Sequence, residues 1–307
     1  MKLDPVMRIV IPVRAGDGNG LKMLLQGLSE EADALRSLIQ ALIVVNDGPD
    51  PHTEEIAYRY TPFPLKLVDH KGPSGSGRPR NAGVAHGNNE WLMFLDCHTM
   101  PAHGFGKVLS EKSSSLEASR LYLMNGIPKK DHAIINKVIT YFHLATLDGA
   151  HLYRQFGWFS TGLMIAHTSL FRAIQFSDDL SGLVDYDFIS RARKNHIDIS
   201  FIPELRLYYP PRTLSQYSAL RIRKIQNLNR LKRHHPETPL PFDPGWGYFI
   251  GLQKTLLYRL YIGFRKQKRS LRLQDLPLTT YIMGVLLEWL FEMRAWLLVY
   301  SGLARKK

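Results

Sequence analysis

The residues of this 307-residue chain best placed to do chemistry are Asp96 and His98. They follow an apolar run, Trp91-Leu92-Met93-Phe94-Leu95, that reads as a buried strand stopping abruptly at Asp96-Cys97-His98. A carboxylate and an imidazole two residues apart on a strand tip can reach one cation together, and the pair suits Mn²⁺ or Mg²⁺. Ligands of open α/β sheets collect just beyond the carboxyl ends of the strands, so other strand ends matter equally. Asp47, in the turn Asn46-Asp47-Gly48, could accept a hydrogen bond from the ring N–H of a base. Gly72-Pro73-Ser74-Gly75-Ser76-Gly77-Arg78-Pro79-Arg80-Asn81 follows a third strand. Its glycines permit close backbone approach, and Arg78 and Arg80 can neutralise phosphate oxygens. The loop lacks the Gly-Lys-Ser/Thr ending of a P-loop, so Walker-type nucleotide binding is not indicated.

The elements that must carry these groups alternate between strand and helix over the first hundred residues. Ile9-Val10-Ile11-Pro12-Val13, Leu42-Ile43-Val44-Val45, Leu65-Lys66-Leu67-Val68 and Trp91 to Leu95 are strand-like, with helices expected at Leu21 to Leu38, at Thr53 to Tyr60 and after Arg80. Continuous apolar strands with intervening helices imply a parallel sheet covered on both faces. Further on, Phe159 to Phe171 and Ser200-Phe201-Ile202-Pro203 read as strands, with a helix from Tyr186 to Lys194 between them. The expected organisation is an α/β domain over 1–212 and a basic, amphipathic helical region over 213–307.

Composition narrows the class. Apolar residues make up 45% and charged residues 22%, as in a foldable globular protein. The one cysteine, Cys97, rules out an internal disulfide, and the start Met1-Lys2-Leu3-Asp4-Pro5 has no signal-peptide character. A cytoplasmic location is the expectation, with the cytoplasmic face of a membrane as the refinement. The net charge of +13 is concentrated: Arg221 to Arg272 holds thirteen Lys/Arg against Glu237 and Asp243. Such a segment points to an anionic partner. No RNA-binding signature accompanies it, so nucleic acid is not expected. Leu278 to Leu303 is rich in large apolar residues but carries Glu288, Glu292 and Arg294 in its middle, where charges are costly in hydrocarbon. A helix in the interface of an anionic membrane, or docked on the protein, fits better than a span.

Taken together, these motifs resemble glycosyltransferase family 2, enzymes with the nucleotide-sugar-binding GT-A fold. Ile9-Val10-Ile11-Pro12-Val13 looks like the opening strand, and Val44-Val45-Asn46-Asp47-Gly48 like the family's Val-Asp-Asp-Gly turn. Arg80-Asn81-Ala82-Gly83 resembles its Ala-Arg-Asn-x-Gly helix, and Phe94-Leu95-Asp96-Cys97-His98 its Phe-Leu-Asp-x-Asp strand. Asp185-Tyr186-Asp187-Phe188-Ile189-Ser190-Arg191-Ala192-Arg193 is similar to its Glu-Asp-x-Asp-Leu-x-x-Arg-x-Arg helix. The resemblance covers about the first 210 residues and implies a mixed Rossmann-like sheet with helices on both faces, followed by a helical extension. It implies a donor site of Pro12, Asp47, Arg78, Arg80, Asn81 and Asp96, and a divalent cation (Mn²⁺ or Mg²⁺) on Asp96 and His98. Asp185 would deprotonate the acceptor hydroxyl, with Asp187 as second candidate. The implied partners are a nucleoside-diphosphate sugar, UDP-linked by expectation, and a glycan or lipid-linked acceptor in polysaccharide biosynthesis.

Three positions depart from the family pattern. His98 replaces the second aspartate, as in the Asp-x-His of polypeptide N-acetylgalactosaminyltransferases. Val184 replaces the glutamate before Asp185. Tyr209 stands where many relatives place a histidine, removing one expected metal or phosphate contact. Trp158, Phe159 and Ser160-Thr161-Gly162 are expected on the acceptor side, whereas His143 and His151 lack ligand spacing. A second reading is an inactive transferase-like protein that binds membranes or other anionic ligands through the basic region.

Overall fold

A computed structural model describes residues 6–71, 76–88, 90–128, 160–210, 213–236, 250, 253–254, 256–257 and 278–301. The strands are β1 (Met7–Arg14), β2 (Ile39–Asp47), β3 (Leu65–His70), β4 (Trp91–Leu95), β5 (Met100–Pro101), β6 (Arg120–Pro128), β7 (Leu163–His167) and β8 (Asp198–Tyr209). The helices are α1 (Gly18–Glu30), α2 (Ala32–Leu35), α3 (Pro51–Tyr60), α4 (Arg78–Ala85), α5 (Phe105–Ser113), α6 (Thr168–Ala173), α7 (Val184–Lys194), α8 (Leu214–His234) and α9 (Leu278–Tyr300). Two compact units result, one of Met1–Ile127 with Leu147–Pro210 and the other of Pro128–Thr146 with Pro211–Lys307.

The first unit is built on one sheet of order β3-β2-β1-β4-β7-β6-β8-β5. β3, β2, β1 and β4 run parallel, whereas β4–β7, β6–β7 and β5–β8 are antiparallel. The four strands expected to form a parallel sheet do so, and beyond β4 the sheet continues in antiparallel pairs, which makes it mixed as the resemblance implies. β5 and β6 were not legible: two residues carry no period, and Arg120-Leu121-Tyr122-Leu123-Met124 is apolar without turn punctuation. The run after Phe159 divides, since β7 spans only five residues before His167 caps α6 through the N–H of Ser169. β8 runs beyond the expected four residues, to Tyr209.

Local chemistry explains the main elements. β4 is buried along its whole length, as a strand with helices on both faces must be. α3 begins two residues before the expected Thr53, with Asp50 as N-cap and Pro51 at the first helical position. Pro12 lies in the central strand β1 but beyond the last residue pair with β4, Val10↔Phe94, where a missing N–H is tolerated. α7 ends in a Schellman motif: the N–H of Ile197 donates to the carbonyl of Ala192, and His196 takes the left-handed conformation that glycine more often fills.

α4 packs on β1 through Gly83. A Cβ there would stand 2.3 Å from Cγ1 of Val10, so the glycine sets how closely helix and strand approach. Gly83→Ala is expected to destabilise the fold by about 1–3 kcal/mol and to lower Tm by roughly 2–10 °C. A thermal melt indistinguishable from wild type would show that Val10 can turn aside at no cost.

In the second unit, α9 packs on α8. The acid that made a membrane span improbable from sequence is paired: Glu292 is buried and accepts hydrogen bonds from Arg221 at 2.6 Å and Lys224 at 3.3 Å. Arg294 donates to Ser218 Oγ at 3.2 Å. Among the described residues no helix is long and apolar enough to cross a membrane. Most of the expected basic helical region between residues 237 and 277 lies outside the described residues.

Candidate active site

Strand order reverses at β1, because the chain passes outward through β2 to β3 and then returns to place β4 on the other side of β1. The crevice beyond the carboxyl ends of β1 and β4 is the switch point at which such sheets bind ligands. Asp96 lies on its rim, directly after β4.

Arg80, buried in α4, donates from Nη2 to Asp96 Oδ1 at 2.8 Å and from Nη1 to the carbonyl of Ser76 at 2.5 Å. The other carboxylate oxygen of Asp96 accepts from Ser160 Oγ and from Tyr209 Oη, each at 3.4 Å. Gly162 closes the cradle: a Cβ on it would fall 2.0 Å from Asp96 Cγ. The ring of His98 meets the Tyr209 ring edge-on, with centroids 5.5 Å apart. Tyr209 therefore occupies the space beside both candidate metal ligands. Ser160 and Gly162, expected at the acceptor wall, lie against Asp96 itself. Trp158, Phe159, His143 and His151 are outside the described residues.

Asp185 enters this group from α7. Burial among protein atoms raises its carboxyl pKa to about 6, although the side chain keeps some solvent access. The backbone N–H of Tyr186 and the Arg80 guanidinium pull the value down, while the Asp96 carboxylate pushes it up. The last two effects place Asp185 within electrostatic reach of the Arg80–Asp96 pair. Asp187 is fully buried and held by Nε and Nη2 of Arg191 at 2.9 and 2.6 Å and by Ser177 Oγ. These contacts stitch the helix to the preceding loop. Residues two apart on a helix point in widely different directions, and the two aspartates have correspondingly different surroundings.

Packing fixes α7 relative to β4. Phe94 of β4 stacks edge-on with Phe171 at 4.9 Å and Phe176 at 5.3 Å, and Phe176 stacks on Phe188 of α7 at 4.5 Å. Arg78 and Asn81, expected at the donor, are engaged in the same positioning. Arg78 Nε donates to the carbonyl of Asp178. Asn81 donates to the carbonyl of Phe176 and to Asp178 Oδ1, and accepts from the N–H of Phe176. Gly77 lets this loop approach, since a Cβ there would fall 2.1 Å from the carbonyl oxygen of Ser177. Leu183, just before α7, has φ of 60°, a strained choice for a branched residue and of the kind that collects near functional sites.

At the other end of the crevice, Arg14, Asp47 and His70 are register neighbours on β1, β2 and β3. Asp47 Oδ1 is 3.0 Å from His70 Nδ1. Gly48 turns the chain at φ of 81° and donates to the carbonyl of His70. Asn46 joins three strand ends: it donates to Asp69 and accepts from the N–H of Asp50, whose carboxylate in turn accepts from the N–H of Gly16. The hydrogen bonds from Gly16 and His52 lower the Asp50 pKa. Sequence reading singled out none of Asn46, Asp50 and His70. Asp50 carried a signal, an aspartate before the proline of a helix start; His70 carried none. Cys97 is buried, and burial pushes its thiol up to about 12, so it stays protonated.

The family model for glycosyl transferase family 2 matches residues 21–114. No curated protein sequence matches significantly. Among solved structures, the mannosyltransferase PcManGT from Pyrobaculum calidifontis, in complex with GDP-Man and Mn²⁺, has a TM-score of 0.57 at 15% identity, covering 94% of this chain and 88% of that one. S. aureus TarS residues 1–349, in complex with UDP-GlcNAc, has a TM-score of 0.52 at 15% identity, covering 97% and 92%. The shared feature is the fold: a GT-A-type mixed sheet flanked by helices, followed by a C-terminal helix pair.

Proposed function

We propose that the chain is a glycosyltransferase that moves a sugar from a nucleoside-diphosphate sugar, UDP-linked by preference, to an acceptor hydroxyl. The observation that carries this reading is the convergence of Arg80, Asp96 and Asp185 at the switch point of a GT-A-type sheet. The family match over 21–114 includes the turn at Asp47, the helix at Arg80 and the strand end at Asp96. PcManGT and TarS were solved with a nucleotide sugar, GDP-Man in one and UDP-GlcNAc in the other.

Each side chain has a distinct task. Asp47 accepts from the base, and His70 beside it orients the carboxylate. Arg80, desolvated and pre-oriented by Ser76, faces the diphosphate, where a fixed guanidinium stabilises charge as it accumulates on the leaving group. Asp185 takes the proton of the acceptor hydroxyl. The acceptor oxygen then attacks the anomeric carbon from the face opposite the diphosphate. The carbon–oxygen bond to phosphate breaks, its electron pair leaves with the nucleoside diphosphate, and the configuration inverts. Asp96 and His98, one hard carboxylate and one imidazole, are the residues that would hold a divalent cation here. Such a cation, Mn²⁺ or Mg²⁺, would supply Lewis-acid stabilisation of the departing diphosphate. The acceptor class that fits the reading is a glycan or a lipid-linked sugar.

Calorimetry with UDP and GDP, each with and without Mn²⁺, tests the assignment. The expected result is tighter binding of UDP than GDP, strengthened by Mn²⁺ through Asp96 and His98. Absence of binding by any nucleotide at millimolar concentration would rule the transferase reading out.

A further inference from the structure

The helix α9 has two unlike faces. Val285, Glu292, Ala295 and Trp296 are buried on one side, where Glu292 meets Arg221 and Lys224 of α8. On the opposite side Met283, Leu286, Leu290 and Leu297 are exposed by 43%, 42%, 53% and 54%. At 3.6 residues per turn these four lie within an arc of about 60° and extend over about 21 Å of helix. Four large apolar side chains in one stripe differ from the single exposed leucines of an ordinary surface. The stripe does not come from a helix too apolar to place, since its other face holds a satisfied ion pair.

We propose that this stripe is a membrane-docking surface, on which α9 lies along an anionic lipid leaflet with Met283, Leu286, Leu290 and Leu297 in the acyl boundary. Charge selects the occupant. The same unit carries thirteen Lys/Arg against two acids between Arg221 and Arg272, and Arg223, Arg230, Lys232 and Arg233 of α8 are exposed. An apolar helix face accompanied by dense positive charge is the signature of an interfacial helix attracted to acidic headgroups. A second copy of the chain would bring an equally cationic segment against this one. A crossing helix is a different object, and α9, which carries Glu288, Glu292 and Arg294, is not apolar enough to be one. The inference stands on the second unit alone and does not depend on the donor assignment.

The test is flotation of the full-length protein with phosphatidylcholine vesicles, with and without phosphatidylglycerol. Binding is expected only to the anionic vesicles, weakened by salt and reduced about tenfold or more in the double variant Leu286→Gln/Leu290→Gln. A second readout places an environment-sensitive fluorophore on Leu290→Cys, which is selective because Cys97 is buried and its thiol protonated. Its emission should shift to the blue when phosphatidylglycerol vesicles are added. Unchanged emission, or a double variant that floats like wild type, overturns the proposal. So does a wild-type dimer that the double variant turns into a monomer without loss of vesicle binding. Nucleotide binding should be the same in wild type and variant, which separates this outcome from any failure of the transferase reading.

Discussion

Asp185→Asn should remove transfer almost completely, lowering kcat by about 10²–10⁴-fold, while leaving nucleotide affinity within a factor of about two to three. The physical reason is that, in the proposed mechanism, the carboxylate acts on the acceptor proton and not on the donor. Asparagine preserves shape and can still accept from the N–H of Tyr186 at position 185. The raised pKa adds a pH signature. Because only the ionised form is a base, wild-type kcat/KM should climb with pH through about 6 and then level off. Steady-state kinetics from pH 5 to 8 measure it; a flat profile with unchanged turnover in the variant would place the base elsewhere.

The same substitution should make the protein more stable at neutral pH. The folded-state pKa of Asp185 lies above its ordinary value of 3.8, so the folded state holds the neutral form more readily than the unfolded chain does. Stability associated with this group is present below pH about 4 and is lost as pH rises through about 6. Above that range the folded state contains a poorly solvated charge worth about 1–3 kcal/mol. Asp185→Asn removes the charge, so its melting temperature should exceed wild type at pH 7–8, and the gap should close below pH 4. A gain in stability on removing the proposed base is the trade-off expected of a working site.

Gly162→Ala should be nearly as damaging to activity by a different route. Its Cβ would lie 2.0 Å from Asp96 Cγ and 2.3 Å from both carboxylate oxygens. Either the carboxylate leaves Arg80, or the turn at 160–162 moves away from it and takes Ser160 with it. A displacement on the order of 1 Å at such a group costs about 10²-fold in rate. Nucleotide affinity and its dependence on Mn²⁺ should fall as well, in contrast to Asp185→Asn, because the proposed mechanism puts Asp96 on the donor side. The overpacking itself should cost about 1–3 kcal/mol of stability. Transfer and Mn²⁺ dependence close to wild type in the variant would mean that the position of Asp96 against Arg80 is not required.

Much of the scaffold was legible because its signals are local. Alternation of apolar strands and helices located β1 to β4 and the helices between them. Asn46-Asp47-Gly48 marked a turn whose glycine does adopt a positive φ. The abrupt end of β4 at Asp96 is likewise a short-range pattern, and so is the apolar character of α9. By these means the chain by itself determined which strand ends carry Asp47 and Asp96, that Arg80 precedes the strand of Asp96, and that the apolar C-terminal segment holds charges unsuited to hydrocarbon.

What surrounds those groups was decided only by tertiary structure. Tyr209 reaches Asp96 across 113 residues of sequence and Ser160 across 64, and no periodicity records such a meeting. Gly162 matters because of what lies opposite it, which a glycine in a sequence does not declare. Asp185 and Asp187 read almost alike as acids in the first turn of a helix. Packing of Phe176 on Phe188 and the Arg191 ion pair turn one into the fold and leave the other beside Arg80. The same holds for α9: its composition is a property of the chain, but which face stays uncovered depends on where Glu292 finds Arg221. Strand and turn chemistry act over a few residues, whereas desolvation, close approach and ion pairing exist only once distant segments have been brought together.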